Sequence, residues 1–169
     1  MNTELRVKLG NRVLEKNSKP YIIAEIGVNH EGSIDNAKLL IDIAAESGAD
    51  AVKFQTYKAD TLTIKNSPAY WDTEKEKTLS QYELFKKYDS FDFHDYVSLQ
   101  KHCKKQGIDF LSTPFDDDSV DFLDPLMPFF KIASSDITNL PFLRKIAAKR
   151  KPVVLSTGAS TLKEIHLAC

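Results

Sequence analysis

Five short apolar runs, each ending in polar side chains of the kind enzymes use, constrain the fold of this chain more than any other feature. Tyr21-Ile-Ile-Ala-Glu-Ile26 leads into Gly27-Val-Asn29-His30, and Ala51-Val-Lys53-Phe-Gln55 carries a lysine and an amide. Ile108-Asp-Phe-Leu-Ser112 runs into Thr113-Pro-Phe115, Phe129-Phe-Lys131-Ile into Ala133-Ser134-Ser135, and Pro152-Val-Val-Leu-Ser156 into Thr157-Gly158. Runs this short and this apolar predict strands buried on both faces, which parallel sheets require and antiparallel ones do not. Helical patterns separate them. Ser33 caps a helix with Ala37, Leu40, Ile41, Ala44 and Ala45 on one face and Gly48 at its end. Ser90 is predicted to cap a helix reaching about Gln106, with Tyr96, Val97 and Cys103 inward, and Asp116-Asp-Asp118 to open a short one. Asn139 with Pro141 and then Ser160 are predicted to begin the last two helices.

Strand–helix repeats of this kind give an α/β fold whose polar clusters sit at the C-terminal strand ends, where such folds build active sites. A closed (β/α)8 TIM-type barrel takes about 250 residues. At 169 residues this chain is expected to cover about the first five strand–helix units, the rest lying outside it or on another polypeptide. Residues 1–20 alternate around Gly10-Asn11 and predict a hairpin cap under the barrel floor. Residues 21–169 are then the barrel part. Segment 57–90 breaks the rhythm. It is polar, holds Pro68 and Trp71, and carries a helix near 79–88 with Ser80 and Glu83 at capping-box spacing and Leu79, Tyr82, Phe85 and Tyr88 as its face. Its place above the strand ends predicts a substrate-facing lid.

A net charge of −1 and no clustered basic face argue against a nucleic-acid partner. The N-terminus has no apolar signal core and no run is long enough to span a bilayer, so no membrane partner is expected. Cys103 and Cys169 have neither ligand spacing nor pairing logic, which suits a reducing cytoplasm.

Lys53 and Lys131 lie in strands that should be buried. A lysine there either snorkels to solvent or pairs with an internal carboxylate, or else it clamps a bound phosphate or carboxylate or serves as a Schiff-base amine. Ser112-Thr113, Ser134-Ser135 and Ser156-Thr157 place hydroxyls and turn amides beside the lysines, which favours an oxyanion ligand. Glu25 is either the partner of Lys53 or a contact for a sugar hydroxyl or a proton in transfer, and Gln55 suits hydroxyl or amide recognition. His30 reads as a hydrogen-bonding loop residue at the active face, with nothing nearby to complete a metal set. His94, His102 and His166 fall on helices and read as structural.

Ile22-Ile-Ala-Glu25-Ile-Gly-Val-Asn29-His30-Glu-Gly32, Gly48-Ala-Asp-Ala-Val-Lys53-Phe-Gln55-Thr56, Phe110-Leu-Ser-Thr113-Pro-Phe115, Lys131-Ile-Ala-Ser134-Ser135 and Leu155-Ser156-Thr-Gly158 together resemble the N-acetylneuraminate (sialic acid) synthase family, in order and over nearly the whole chain. The resemblance implies a (β/α)8 barrel followed by an antifreeze-like domain in a domain-swapped homodimer. The implied reaction condenses phosphoenolpyruvate with an N-acetylated hexosamine such as N-acetylmannosamine to a sialic-type acid, releasing phosphate. Lys53, Thr113, Lys131, Ser134 and Ser156 would hold phosphoenolpyruvate, Glu25 and Gln55 would face the sugar, and Glu25 and Lys53 would be the catalytic pair. A divalent metal, Mn2+ or Mg2+, would polarise the aldehyde, with its ligands beyond Cys169, so no metal ligand is expected within the chain and the chain by itself is expected to be inactive. A Schiff-base aldolase using Lys53 or Lys131, and a non-catalytic half that needs a partner chain, are the competing readings.

Overall fold

A computed structural model describes residues 6–169. Strands β1 (Val7–Leu9) and β2 (Arg12–Leu14) form the expected antiparallel hairpin; residues 1–5 of the predicted cap lie outside the described residues. Then follow β3 (Ile23–Gly27), α1 (Ile34–Glu46), β4 (Ala51–Thr56), α2 (Ala59–Leu62), α3 (Gln81–Tyr88), α4 (Phe93–Gln106), β5 (Asp109–Pro114), α5 (Asp117–Leu123), β6 (Phe130–Ile132), α6 (Leu140–Ala148), β7 (Val153–Leu155) and α7 (Leu162–Ala168). This is an α/β fold with parallel strands in the order β3-β4-β5 and, in a second ladder, β6-β7. The predicted single sheet is therefore two ladders. β5 and β6 pack side by side, while the Ser112 N–H donates to the Met127 sulfur at 2.9 Å.

Local chemistry explains most boundaries. Ser33 Oγ accepts the Asn36 N–H at 3.2 Å and starts α1, as expected. The start of α4 differs from expectation: Asp92, not Ser90, is its cap, because the Asp92 carboxylate takes the His94 and Asp95 N–H groups while Asp95 returns a bond to the Asp92 N–H. Leu99, rather than Val97, joins Tyr96 and Cys103 inside. Thr161 with Glu164, rather than Ser160, caps α7, through the same reciprocal pair of bonds. Leu79 precedes α3 and is exposed instead of forming part of its face. Segment 57–90 also folds one turn, α2, and a bridge between Pro68 and Ser80.

The core lies between the strands and the helices α1 and α4. Ala37, Ile41 and Ala44 meet Tyr96, Leu99 and Cys103 over Val52, Phe54 and Phe110. The hairpin is tied to the N-terminal ends of the strands. Arg12 pairs with Asp50 at 2.7 Å, Asp50 accepts the Ile22 N–H at 2.7 Å, and the Tyr21 hydroxyl donates to Asp109 at 2.5 Å. Gly10, at φ +55°, lies so close to Asp109 that any β-carbon there would collide with the carboxylate. Burial tends to raise the Asp50 carboxyl, but the Ile22 N–H and Arg12 outweigh it and hold the group below the usual carboxylate range.

Candidate active site

Strand register decides which polar side chains share a face. Glu25 stands opposite Lys53, Lys53 opposite Leu111, and Gln55 opposite Thr113. Because side chains alternate along a strand, Glu25, Lys53, Gln55 and Thr113 occupy one face, while Val52, Phe54 and Phe110 face the helices. Ser112 falls with the second set. It is buried, and its hydroxyl is paired with Thr56 Oγ1 at 2.7 Å, so Thr113 alone of the Ser112-Thr113 pair belongs to the site.

Lys53 is 8% exposed, and its ammonium is ion-paired with Glu25 and lies 3.4 Å from Thr113 Oγ1. The Glu25 side chain is 54% exposed, so this carboxylate compensates a buried cation while remaining open to solvent. The structural partnership expected for Glu25 is present, and its outer edge is free to meet a ligand. Lys131 is half-buried and donates to the Ile132 carbonyl at 2.8 Å. Burial holds its ammonium below the usual lysine range, the nearby Lys53 charge adds to this, and Glu25 opposes it. Glu25 is ion-paired with Lys53 alone, and Lys131 adds a second cation within reach of both charges, which leaves a net positive charge where water is partly excluded. Such a place favours an anion.

Ser134 begins a single 3-10 turn, Ser134–Asp136, just after β6. The Ser134 hydroxyl lies 3.4 Å from where a β-carbon on Gly158 would stand, so the turns after β6 and β7 meet. A cleft of about 410 Å³ there is lined by Ser134, Ser135, Thr138, Gly158, Ser160 and Glu164. The Ser156 N–H donates to the Ile132 carbonyl at 3.1 Å, the same carbonyl that Lys131 uses. A slightly larger cleft, about 430 Å³, lies at the opposite strand ends near Asn11, Asp109 and Pro128, and neither Lys53 nor Lys131 lines it.

His30 departs from expectation. It makes the anticipated backbone bond, Nδ1 accepting the Gly32 N–H at 3.1 Å, but it packs inward, 1% exposed. Its ring stacks on Phe91 at 4.2 Å and lies beside Phe54, and burial pushes its pKa down. Aromatic packing, not the active face, takes this residue. His102 is structural, as expected, joining α4 to Asp42 of α1 at 2.6 Å. Two features escaped the sequence reading. Asp136, within the turn after β6, is partly buried, and that burial raises its carboxyl above the usual range. A bulge at Ile26–Gly27 interrupts the β3–β4 register directly after Glu25. Among the described residues no three His, Cys, Asp or Glu side chains gather as a metal site would require.

The profile of the NeuB family matches residues 40–169. The chain is 44% identical over 151 residues to N,N'-diacetyllegionaminic acid synthase of Legionella pneumophila, covering 88% of this chain and 42% of that protein. It is 37% identical over 150 residues to N-acetylneuraminate-9-phosphate synthase of Homo sapiens, covering 86% of this chain and 42% of that protein. The crystal structure of N-acetylneuraminic acid (sialic acid) synthetase from Leptospira borgpetersenii, in complex with citrate, superposes with a TM-score of 0.84 at 32% identity, over 98% of this chain and 54% of that one. The chain spans about half the length of the proteins it matches.

Proposed function

The chain belongs to the NeuB family, and on that premise we propose that the complete protein condenses phosphoenolpyruvate with an N-acetylated hexosamine to a sialic-type (nonulosonic) acid, releasing phosphate. The observation that carries this reading is a pair of partly or fully buried lysines, Lys53 of β4 and Lys131 of β6, with Glu25 as the carboxylate that offsets their charge. In this reading Lys53, Lys131, Thr113, Ser134 and Ser156 hold the phosphate and carboxylate of phosphoenolpyruvate, and Glu25 with Gln55 faces the sugar. The C3 carbon of phosphoenolpyruvate forms a bond to the aldehyde carbon of the open-chain sugar, and the alkene electron pair becomes that bond. The aldehyde oxygen takes a proton. Water adds at C2 and loses a proton, for which Glu25 is the acceptor placed beside Lys53. The C2–O bond to phosphate then breaks as the new C2 hydroxyl gives its proton to the departing phosphate, leaving the keto acid. Each anionic stage keeps its charge beside the lysines, an electrostatic contribution made by groups already in place.

A divalent cation, Mn2+ or Mg2+, belongs to this reading of the complete enzyme as the group that polarises the aldehyde. The described residues offer it no cluster of ligands. The architecture proposed is the first part of a (β/α)8 barrel, with residues 1–20 as a cap and 21–169 as barrel. The parallel ladders, with Lys53 and Lys131 inside the strands and Thr113, Ser134 and Ser156 at or just past their C-terminal ends, support it. An antifreeze-like domain, a homodimeric assembly and a cytoplasmic location complete the proposal. Among the described residues no helix is long and apolar enough to cross a membrane.

The test is phosphate release by the complete protein, measured with phosphoenolpyruvate and a panel of N-acetylated hexosamines, with the product weighed by mass spectrometry. Release that needs both substrates and yields their sum plus water less phosphate supports the proposal; no release with any acceptor sinks it. The lowered pKa of Lys131 is the one observation that favours a Schiff-base aldolase. Borohydride reduction with a keto acid separates the readings, since the synthase gives no covalent lysine adduct.

A further inference from the structure

We infer that Gly27 is a positioning residue for Glu25, an assignment that rests on the function proposed above. The β3–β4 register pairs Glu25 with Lys53 and then Gly27 with Phe54, so Ile26 is an inserted residue. Gly27 closes this bulge at φ +55°, a conformation that side chains rarely tolerate. Bulges bend a strand and re-aim its neighbouring side chains, and they recur beside active sites. Here the re-aimed groups are identifiable. A β-carbon on Gly27 would stand 3.3 Å from Glu25 Oε1 and 3.6 Å from Gln55 Nε2. The missing side chain therefore leaves open a space bordered by both the site's carboxylate and its amide. A β-carbon at position 27 requires the Glu25 carboxylate to shift by a few tenths of an ångström. Because that carboxylate is the ion-pair partner of Lys53, the displacement passes to the buried ammonium as well.

Gly48 supplies the contrast. It has φ +83° and nothing within 4 Å of its would-be β-carbon. Alanine at either position meets the left-handed backbone penalty, but only at position 27 does it press on Glu25. The experiment uses the full-length protein carrying this chain, labelled with 13C at glutamate Cδ and 15N at lysine Nζ. Glu25→Gln and Lys53→Met variants assign the two signals. Gly27→Ala is expected to move both the Glu25 and the Lys53 signals, and Gly48→Ala neither, although both variants lose thermal stability. Gly27→Asn, whose side chain tolerates the left-handed region, takes over if the alanine variant does not fold.

A kinetic arm follows. Gly27→Ala should lower kcat about tenfold, as small misplacements of reacting groups do, with little change in the KM for phosphoenolpyruvate. In a Glu25→Gln background the same substitution should cost no more than about twofold, because a residue that acts through another loses its effect once that other is gone. Unmoved Glu25 and Lys53 signals, or an equal loss in both backgrounds, would overturn the assignment. If the wild-type protein releases no phosphate, the proposed function fails, and the resonance arm still decides whether Gly27 positions Glu25.

Discussion

Replacing Lys131 by Met separates what this lysine costs the folded protein from what it gives a ligand. Burial and Lys53 depress its pKa. Between the lowered folded value and the ordinary lysine value the unfolded chain therefore binds more protons, and stability rises with pH through that window. At neutral pH the charge is a net cost. Met keeps the length and apolar stem, removes the charge, and leaves no acceptor stranded, because the Ile132 carbonyl retains the Ser156 N–H at 3.1 Å. With Lys131 half-exposed and screened, the unliganded protein should gain no more than about 1 kcal/mol, and the alkaline rise in stability should flatten. Binding moves the other way. One charge-assisted contact to an anion is worth about 1.5–3 kcal/mol, so affinity for phosphoenolpyruvate should fall roughly 10–150-fold. Calorimetric titration with phosphoenolpyruvate, beside urea melts of the ligand-free protein from pH 7 to 11, reads both quantities. An unchanged Kd together with a less stable free protein would refute the anion clamp and make Lys131 a structural residue.

Three further substitutions probe the other parts of the site and its support. Glu25→Gln should lower turnover at least about tenfold and, because its carboxylate is exposed and screened, cost only about 1 kcal/mol of stability; a lower melting temperature with normal turnover would leave Glu25 only as the partner of Lys53. His30 has a folded pKa below its ordinary 6.5, so its contribution to stability is complete above that value and is lost as pH falls below it, until the folded group also titrates. His30→Phe should preserve the stack on Phe91 and abolish that acid limb, at about 1 kcal/mol for the lost acceptor of the Gly32 N–H; pH-dependent melts that keep the limb would place its origin elsewhere. Tyr21→Phe removes a donor to the Asp109 carboxylate and should cost about 1.5–3 kcal/mol of stability while leaving the affinity for phosphoenolpyruvate unchanged, because that contact lies at the opposite strand ends; a calorimetric Kd that shifts would contradict this separation.

The helices were legible where one side chain decides an end. Ser33, Asp116 and Asn139 cap as their positions suggest. Ser90 and Ser160 failed because a stronger reciprocal pair lay one or two residues further on, Asp92 with Asp95 and Thr161 with Glu164. The lysines were legible because a cation inside an apolar run demands a counter-charge, and Glu25 was the carboxylate one strand away. His30 was misplaced because a loop position does not reveal that Phe91 waits to stack on it. The Gly27 bulge and Asp136 were missed because a glycine at a strand end reads as a turn, and an aspartate in a turn reads as solvated.

What the apolar runs could not supply is parity, the face on which each polar residue lands. A one-residue slip of β3 against β4 would carry Glu25 away from Lys53 and toward the layer of Phe54 and Phe110, where a carboxylate has no partner. The structure guards against that slip from the far end of the strands. Asp50 accepts the Ile22 N–H through its side chain and the Asp109 N–H through its carbonyl, so the entries of β3, β4 and β5 meet at one residue. Arg12 of the hairpin then holds the Asp50 carboxylate at 2.7 Å. From that anchor alternation alone takes Lys53 to Glu25 and Gln55 to Thr113. The hairpin is tied to the strands at Asp50, before Lys53 in the same strand region, yet it takes part in aligning Lys53 with Glu25. Weakening it should loosen the β3–β4 register before it disturbs any single residue of the site.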